Sequence, residues 1–256
     1  MKLLRPFWIA MQLLTRLPVP DSNSYDAAST GRSLLFYPLV GALIGAVLAG
    51  AGWLLAPHVS PLPLAALLLV FWVMLTGALH LDGLADSADG WLGGLGNRKR
   101  TLEIMHDPRS GPAAIVAIVL VLLMKFSALA AIVKIQSWYG LLSVPLLGRS
   151  LVPLLFLTTP CARPDGMAAS LAAHLPRRSA WLAVAFGLSA VALAVPTGAW
   201  LILAGLLLFS ILRRMMLARI GGMTGDTIGA LVELTEAVAL IVFVVCADTS
   251  SSAVKI

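Results

Sequence analysis

Long apolar stretches alternate with short polar ones along almost the whole chain. Seven segments stay apolar for roughly the 20 residues that a bilayer-spanning helix needs: 34–55, 62–80, 112–134, 138–159, 180–196, 198–217 and 228–247. The connections between them are short and leave no segment for a separate soluble domain. The pattern therefore predicts an all-α fold, a polytopic helical membrane bundle forming one domain over residues 1–256. The first 20 residues follow a different period. Arg5, Gln12 and Arg16 share one helical face, and Leu3, Phe7, Ala10 and Leu14 share another. This spacing predicts an N-terminal amphipathic helix lying on the membrane surface. Lys2 and Arg5 ahead of an apolar run imitate a secretory signal. Gln12, Thr15 and Arg16 interrupt that run, however, and no small-residue cleavage site follows.

Composition agrees with a membrane setting. The chain is 59% hydrophobic and 12% charged, against about 25% charged in soluble domains. Cys161 and Cys246 lie in different segments without metal-ligand spacing, so they read as space-filling residues. The net charge of +6 is set by topology and not by nucleic acid, which is not an expected partner. With seven spans and an inside N-terminus, most Lys and Arg residues fall on one side. They run from Lys2, Arg5, Arg16 and Arg32 through Arg98–Arg100, Arg109, Arg163, Arg177 and Arg178 to Arg213, Arg214 and Arg219. The opposite loops hold only Lys134 and Lys255. By the positive-inside rule both acidic stretches are expected to face the cytoplasm.

Those stretches hold most of the 12 acidic residues. Carboxylates near lipid cost about 2.5–3.5 kcal/mol each at a helix centre, so their clustering needs a purpose. Asp82, Asp86 and Asp89 are spaced i, i+4, i+7, one face of a helix continuing from the second span. Three such carboxylates repel one another, and a hard cation such as Mg²⁺ resolves the conflict while keeping waters for a substrate phosphate. The bland alternative is a solvated acidic helix end. Asp226, Glu233 and Glu236 form a second stripe after Gly221, Gly222 and Gly225, with Thr224 and Thr227 beside it. It reads as a second metal site or an acceptor-orienting surface, or else as structural ion pairs with Arg213, Arg214 or Arg219. Between the stripes, Asp107-Pro108-Arg109 marks a turn whose arginine can grip phosphate bidentately. His80 and His106 are candidates by position, the latter as a base. Lys125 and Arg149 are the basic residues inside predicted spans. They meet substrate phosphates in a shared cavity, pair with the acidic stripe, or snorkel to an interface. Carboxylate-held metal with a basic grip suits phosphoryl transfer from an activated diphosphate.

Five runs then carry a resemblance across nearly the whole chain, in order. They are Thr15-Arg-Leu-Pro-Val-Pro20, Tyr37-Pro-Leu-Val-Gly41, Thr76-Gly-Ala-Leu-His-Leu-Asp-Gly-Leu-Ala-Asp-Ser-Ala-Asp-Gly90, Ile104-Met-His-Asp-Pro-Arg-Ser-Gly111 and Gly222-Met-Thr-Gly-Asp-Thr-Ile-Gly-Ala230. Together they resemble the cobalamin 5′-phosphate synthase family, also called adenosylcobinamide-GDP ribazoletransferases. Departures are at His106, where the family often has Lys, and at Pro108-Arg-Ser-Gly111, where it often has Ser-Arg-Ile-Gly. The resemblance implies a Mg²⁺-dependent transferase of cobalamin biosynthesis. Adenosylcobinamide-GDP would be the donor and α-ribazole or α-ribazole 5′-phosphate the acceptor, with GMP leaving. It implies Asp82, Asp86 and Asp89 on the metal and diphosphate, and Asp107, Asp226 or Glu233 as base or second-metal ligand, with Arg109 retained. Lys125, Arg149, His80, Thr224 and Glu236 are the expected substrate contacts. A homo-oligomer or other corrinoid-pathway enzymes are the expected protein partners. Two rivals remain. A CDP-alcohol phosphotransferase would show Asp-Gly followed by Ala-Arg, whereas Asp86-Ser-Ala-Asp89 has no such arginine. A transporter would place its carboxylates near the bilayer centre.

Overall fold

A computed structural model describes residues 4–20 and 26–253, without the side chains of 248–253; Leu3, Lys2 and Lys255 lie outside the described residues. The described residues form helices α1 (Arg5–Leu14), α2 (Ala27–Ser33), α3 (Tyr37–Leu55), α4 (Pro61–Thr76), α5 (Leu79–Gly93) and α6 (Arg98–Ile104). There follow α7 (Pro112–Ile135), α8 (Tyr139–Thr158), α9 (Met167–Ala173), α10 (Arg177–Ala194), α11 (Gly198–Ile220) and α12 (Gly225–Ala253). Proline in the first turn of α1, α3, α4 and α7 starts each helix with φ already set and no amide left over.

The bundle is organised around α8, almost wholly buried despite Pro145 and Pro153 in its interior. Small residues let neighbours close on it, as in membrane bundles generally. A Cβ at Gly41 or Gly45 of α3 would run into the α8 backbone at Pro145 and Leu141, and one at Gly187 of α10 would overlap Ser150. The core runs from Ile44 and Leu48 through Leu141, Leu147 and Leu151 to Leu231 and Leu240. Around it, Leu62, Leu67, Met74, Leu123, Leu182, Leu193 and Leu207 stay exposed, an apolar outer surface suited to lipid.

Among the described residues, five helices are long and apolar enough to cross a bilayer, and a sixth crossing is formed if α4 and α5 count as one broken span. The expected helix continuing straight from 62–80 into the aspartate row is therefore corrected. The chain turns through 87° between α4 and α5. Gly77 (φ 65°) and Ala78 (φ 57°) are both left-handed, the conformation that closes a helix end and that only glycine adopts cheaply. The expected span 180–196 forms α10, whose 18 residues have the length of a crossing, although Arg177 and Arg178 at its start leave it less apolar than the five.

Arginines gather where several helices end. Arg177 donates to the Leu157 carbonyl at 2.7 Å, and Arg213 to Thr158 at 2.5 Å, both at the C-terminus of α8. Arg163 donates to Leu102 in α6, and Arg219 to Trp91 in α5. Carbonyls left open in a helix's last turn are natural partners for cations. These bonds account for Arg213 and Arg219, neither of which pairs with Glu233 or Glu236.

Candidate active site

At that arginine-rich end, a two-bond strap ties the loop after α8 to the turn before α12. The Ala162 amide donates to the Met223 carbonyl and the Met223 amide to the Pro160 carbonyl, both at 2.8 Å. The strap puts Arg163 beside the first turn of α12. Thr224 starts that helix: its hydroxyl accepts from the Thr227 amide at 3.3 Å, and the Thr227 hydroxyl accepts from the Thr224 amide at 2.9 Å. The same Thr224 hydroxyl donates to Asp226 at 3.2 Å. Thr224 thus fixes both the helix start and the aspartate.

Helix α5 crosses α12 at two glycines. A Cβ on Gly83 would lie 2.7 Å from the Asp226 carbonyl oxygen, and one on Gly229 would lie 3.0 Å from that of His80. This close crossing sets Asp82 and Asp86 opposite Asp226. Asp86 lies within electrostatic range of Asp82, Asp226 and Asp89, with Arg163 as the opposing charge. Arg163 reaches Asp226 at 3.6 Å, both side chains partly exposed. Asp82 is exposed, while Asp86, Asp89 and Asp226 are half-buried.

Two cavities meet at Gly225 and Asp226. The first, about 400 Å³, lies between α1, α5, α8, α9 and α12; Arg16, His80, Asp82 and Asp226 line it. The second, about 580 Å³, is lined by His106, Arg163, Asp165, Thr224 and Asp226.

Other expected site residues fall elsewhere. Asp89 accepts from the amides of Gly111 at 2.5 Å and Ala114 at 3.0 Å, so it caps α7 from a neighbouring helix. Asp107 and Arg109 grip each other through two side-chain bonds at 2.7 and 2.9 Å. They share a separate cavity with Asp89. That grip holds the Asp107 carboxyl down to about 2, and the Arg109 side chain is 87% exposed. Lys125, Arg149, Glu233 and Glu236 form a buried quartet that lines neither cavity. Lys125 Nζ bonds Glu233 at 2.6 Å and Glu236 at 2.5 Å, Arg149 pairs with Glu236, and the Trp72 ring lies 4.7 Å from Lys125 Nζ. Of the uses foreseen for these two cations, the structure has them paired with the acidic stripe. His80 is buried at the edge of the first cavity, its Nδ1 without a hydrogen-bond partner among the described residues. Arg163 and Arg16 were legible only as topological charges. Their signal lay in the polar run Arg163-Pro-Asp165-Gly166 and in the run Thr15–Pro20.

The carboxylates suit a hard cation in charge and donor type. Among the described residues no three His, Cys, Asp or Glu side chains form a ready-made metal cage. Mg²⁺ does not require one, since it is commonly held by one or two carboxylates together with waters and substrate phosphates.

Apolar helices of spanning length around a carboxylate- and arginine-lined cleft define a polytopic membrane protein with an open polar site. The chain belongs to the cobalamin-5-phosphate synthase family, whose model matches residues 6–244. A protein of Pseudomonas aeruginosa named adenosylcobinamide-GDP ribazoletransferase is 57% identical over 242 residues, covering 93% of this chain and 97% of the relative. Its namesake in Pseudomonas paraeruginosa is 56% identical over 246 residues with the same coverage. That of Pseudomonas fluorescens is 51% identical over 242 residues, covering 92% of this chain and 97% of the relative. No solved structure matches the chain.

Proposed function

We propose that this chain joins adenosylcobinamide-GDP to α-ribazole or α-ribazole 5′-phosphate, giving adenosylcobalamin or its 5′-phosphate and GMP. The observation that carries this reading is the convergence of Asp82, Asp86 and Asp226 beside Arg163, in a chain more than half identical to proteins named for that transfer. A ribose oxygen bonds to the cobinamide-side phosphorus, the bridging P–O bond to GMP breaks, and the hydroxyl proton passes to a carboxylate. Asp226 is best placed for the proton because it faces both cavities, and Thr224 and Arg163 hold its Oδ2. Glu233 is paired with Lys125 away from the cavities, and Asp107 is tied to Arg109. Arg163 grips a donor phosphate in the second cavity, as guanidinium groups do.

Asp82 and Asp86 would hold Mg²⁺, with Asp89 at the end of their row. The ion would neutralise charge developing on the diphosphate. The protein resides in the bacterial inner membrane with the cleft facing the cytoplasm, a reading supported by the arginines gathered at that end. Self-association, or association with other corrinoid-pathway enzymes, would place the cleft near its suppliers.

The test supplies purified protein with adenosylcobinamide-GDP and either acceptor, with Mg²⁺ or with EDTA. Metal-dependent release of GMP alongside a cobalamin product is expected. Folded protein that releases no GMP overturns the transfer, and GMP release undiminished by EDTA overturns the metal.

A further inference from the structure

We infer that the first cavity seats the acceptor nucleoside and that Arg16 sets the preference for its 5′-phosphorylated form; this rests on the transfer proposed above. The cavity's walls are mostly apolar, with Leu14, Leu79, Val152, Phe156, Leu171 and Ile228 among them. At about 400 Å³ it lies near the lower end of small-molecule sites, roughly 300–1,000 Å³. That admits a nucleoside and excludes a whole corrinoid. A dimethylbenzimidazole base is flat and apolar, and it matches such walls. Guanine, ringed with donors and acceptors, finds His106, Arg163, Asp165 and Thr224 to meet it in the second cavity.

Polar groups in the first cavity fall on two sides. Asp226 of α12, where the two cavities join, suits the reacting ribose hydroxyl, with Asp82 of α5 beside it on the metal side. Arg16 comes from the segment after α1. Its amide donates to the Leu75 carbonyl at 2.8 Å, and its side chain lies over Gly77, where any Cβ would overlap it. The break between α4 and α5 therefore makes the room that Arg16 occupies. No carboxylate among the described residues is within ion-pair reach of its guanidinium. An exposed guanidinium with no ion-pair partner among the described residues, on the wall of a nucleoside-sized cavity, suits a phosphate clamp that binds two phosphate oxygens at once.

The experiment measures kcat and KM for α-ribazole and for α-ribazole 5′-phosphate, at saturating adenosylcobinamide-GDP, in the wild-type chain, Arg16→Gln and Arg16→Lys. In the wild type, kcat/KM favours the phosphorylated acceptor. Arg16→Gln is expected to cut that ratio roughly ten-fold or more through KM for the phosphorylated form, the scale of a lost charge-assisted bond. Arg16→Lys recovers part of the ratio, because a point charge replaces the fork. A merely structural Arg16 would lower turnover of both acceptors together and leave the ratio unmoved, and that result overturns the assignment. So does a wild type without preference. A folded wild type that turns over neither acceptor instead overturns the transfer itself.

Discussion

Asp82, Asp86 and Asp89 follow one another along α5, yet the last gives both oxygens to the amides that open α7, while the first two face Asp226. Substitutions separate these situations. Asp82→Asn and Asp86→Asn should lower kcat/KM by about 100-fold or more, the scale of a metal-stabilised charge, with melting temperature unchanged. Asp89→Ala should cost about 1–2 kcal/mol of stability as a lost cap, and Asp89→Asn, which keeps an acceptor oxygen, far less. Denaturation beside GMP-release assays reads both; near-normal turnover in the Asp82 and Asp86 variants would end their assignment to the metal. The i, i+4 spacing of Asp82 and Asp86 made their shared face legible in the sequence, as did the isolated Asp226 after its glycines. The fate of Asp89 was not legible, because its partners lie on another helix. Arg163 was hidden for a similar reason: only the strap between residues 160–162 and Met223 brings it to Asp226.

At the scale of helices, Glu233 and Glu236 lie on the same face of α12 as Asp226, but two cations from α7 and α8 claim them. Removing one member of a buried pair leaves an uncompensated charge and costs about 3–5 kcal/mol. Glu236→Ala should therefore destabilise the bundle by that order, since it abandons both Arg149 and part of Lys125. Adding Arg149→Met should return part of the loss, and chemical denaturation in detergent would measure both. A Glu236→Ala chain as stable as wild type would remove the quartet's structural role. Hydropathy located every long helix because twenty apolar residues in a row leave few alternatives. It missed the break at Gly77–Ala78 because a left-handed pair of small residues leaves no trace in an apolar average. Nor could it show that Gly83 and Gly229 oppose each other, since a crossing joins residues far apart in sequence.

For the whole molecule, the arginines that close α5, α6 and α8 lie at the end of the bundle where the cleft opens, so under the proposed cytoplasmic orientation the same charges would serve capping and topology. In a chain with Cys161 and Cys246 replaced by serine, a cysteine at the exposed Leu95 should react with an impermeant maleimide only after the cytoplasmic side is opened. Labelling from the outside of intact cells would reverse the assigned topology. The buried quartet also has an order in time. Lys125 and Arg149 leave the ribosome on α7 and α8, but both of their counter-ions arrive later, on α12. Until then, two cations wait in the membrane, each at about 2.5–3.5 kcal/mol on insertion scales. Docking of α12 therefore matches both cations and brings Asp226 to the cleft in one step, so the charge balance of the bundle and the completion of its site depend on the same helix.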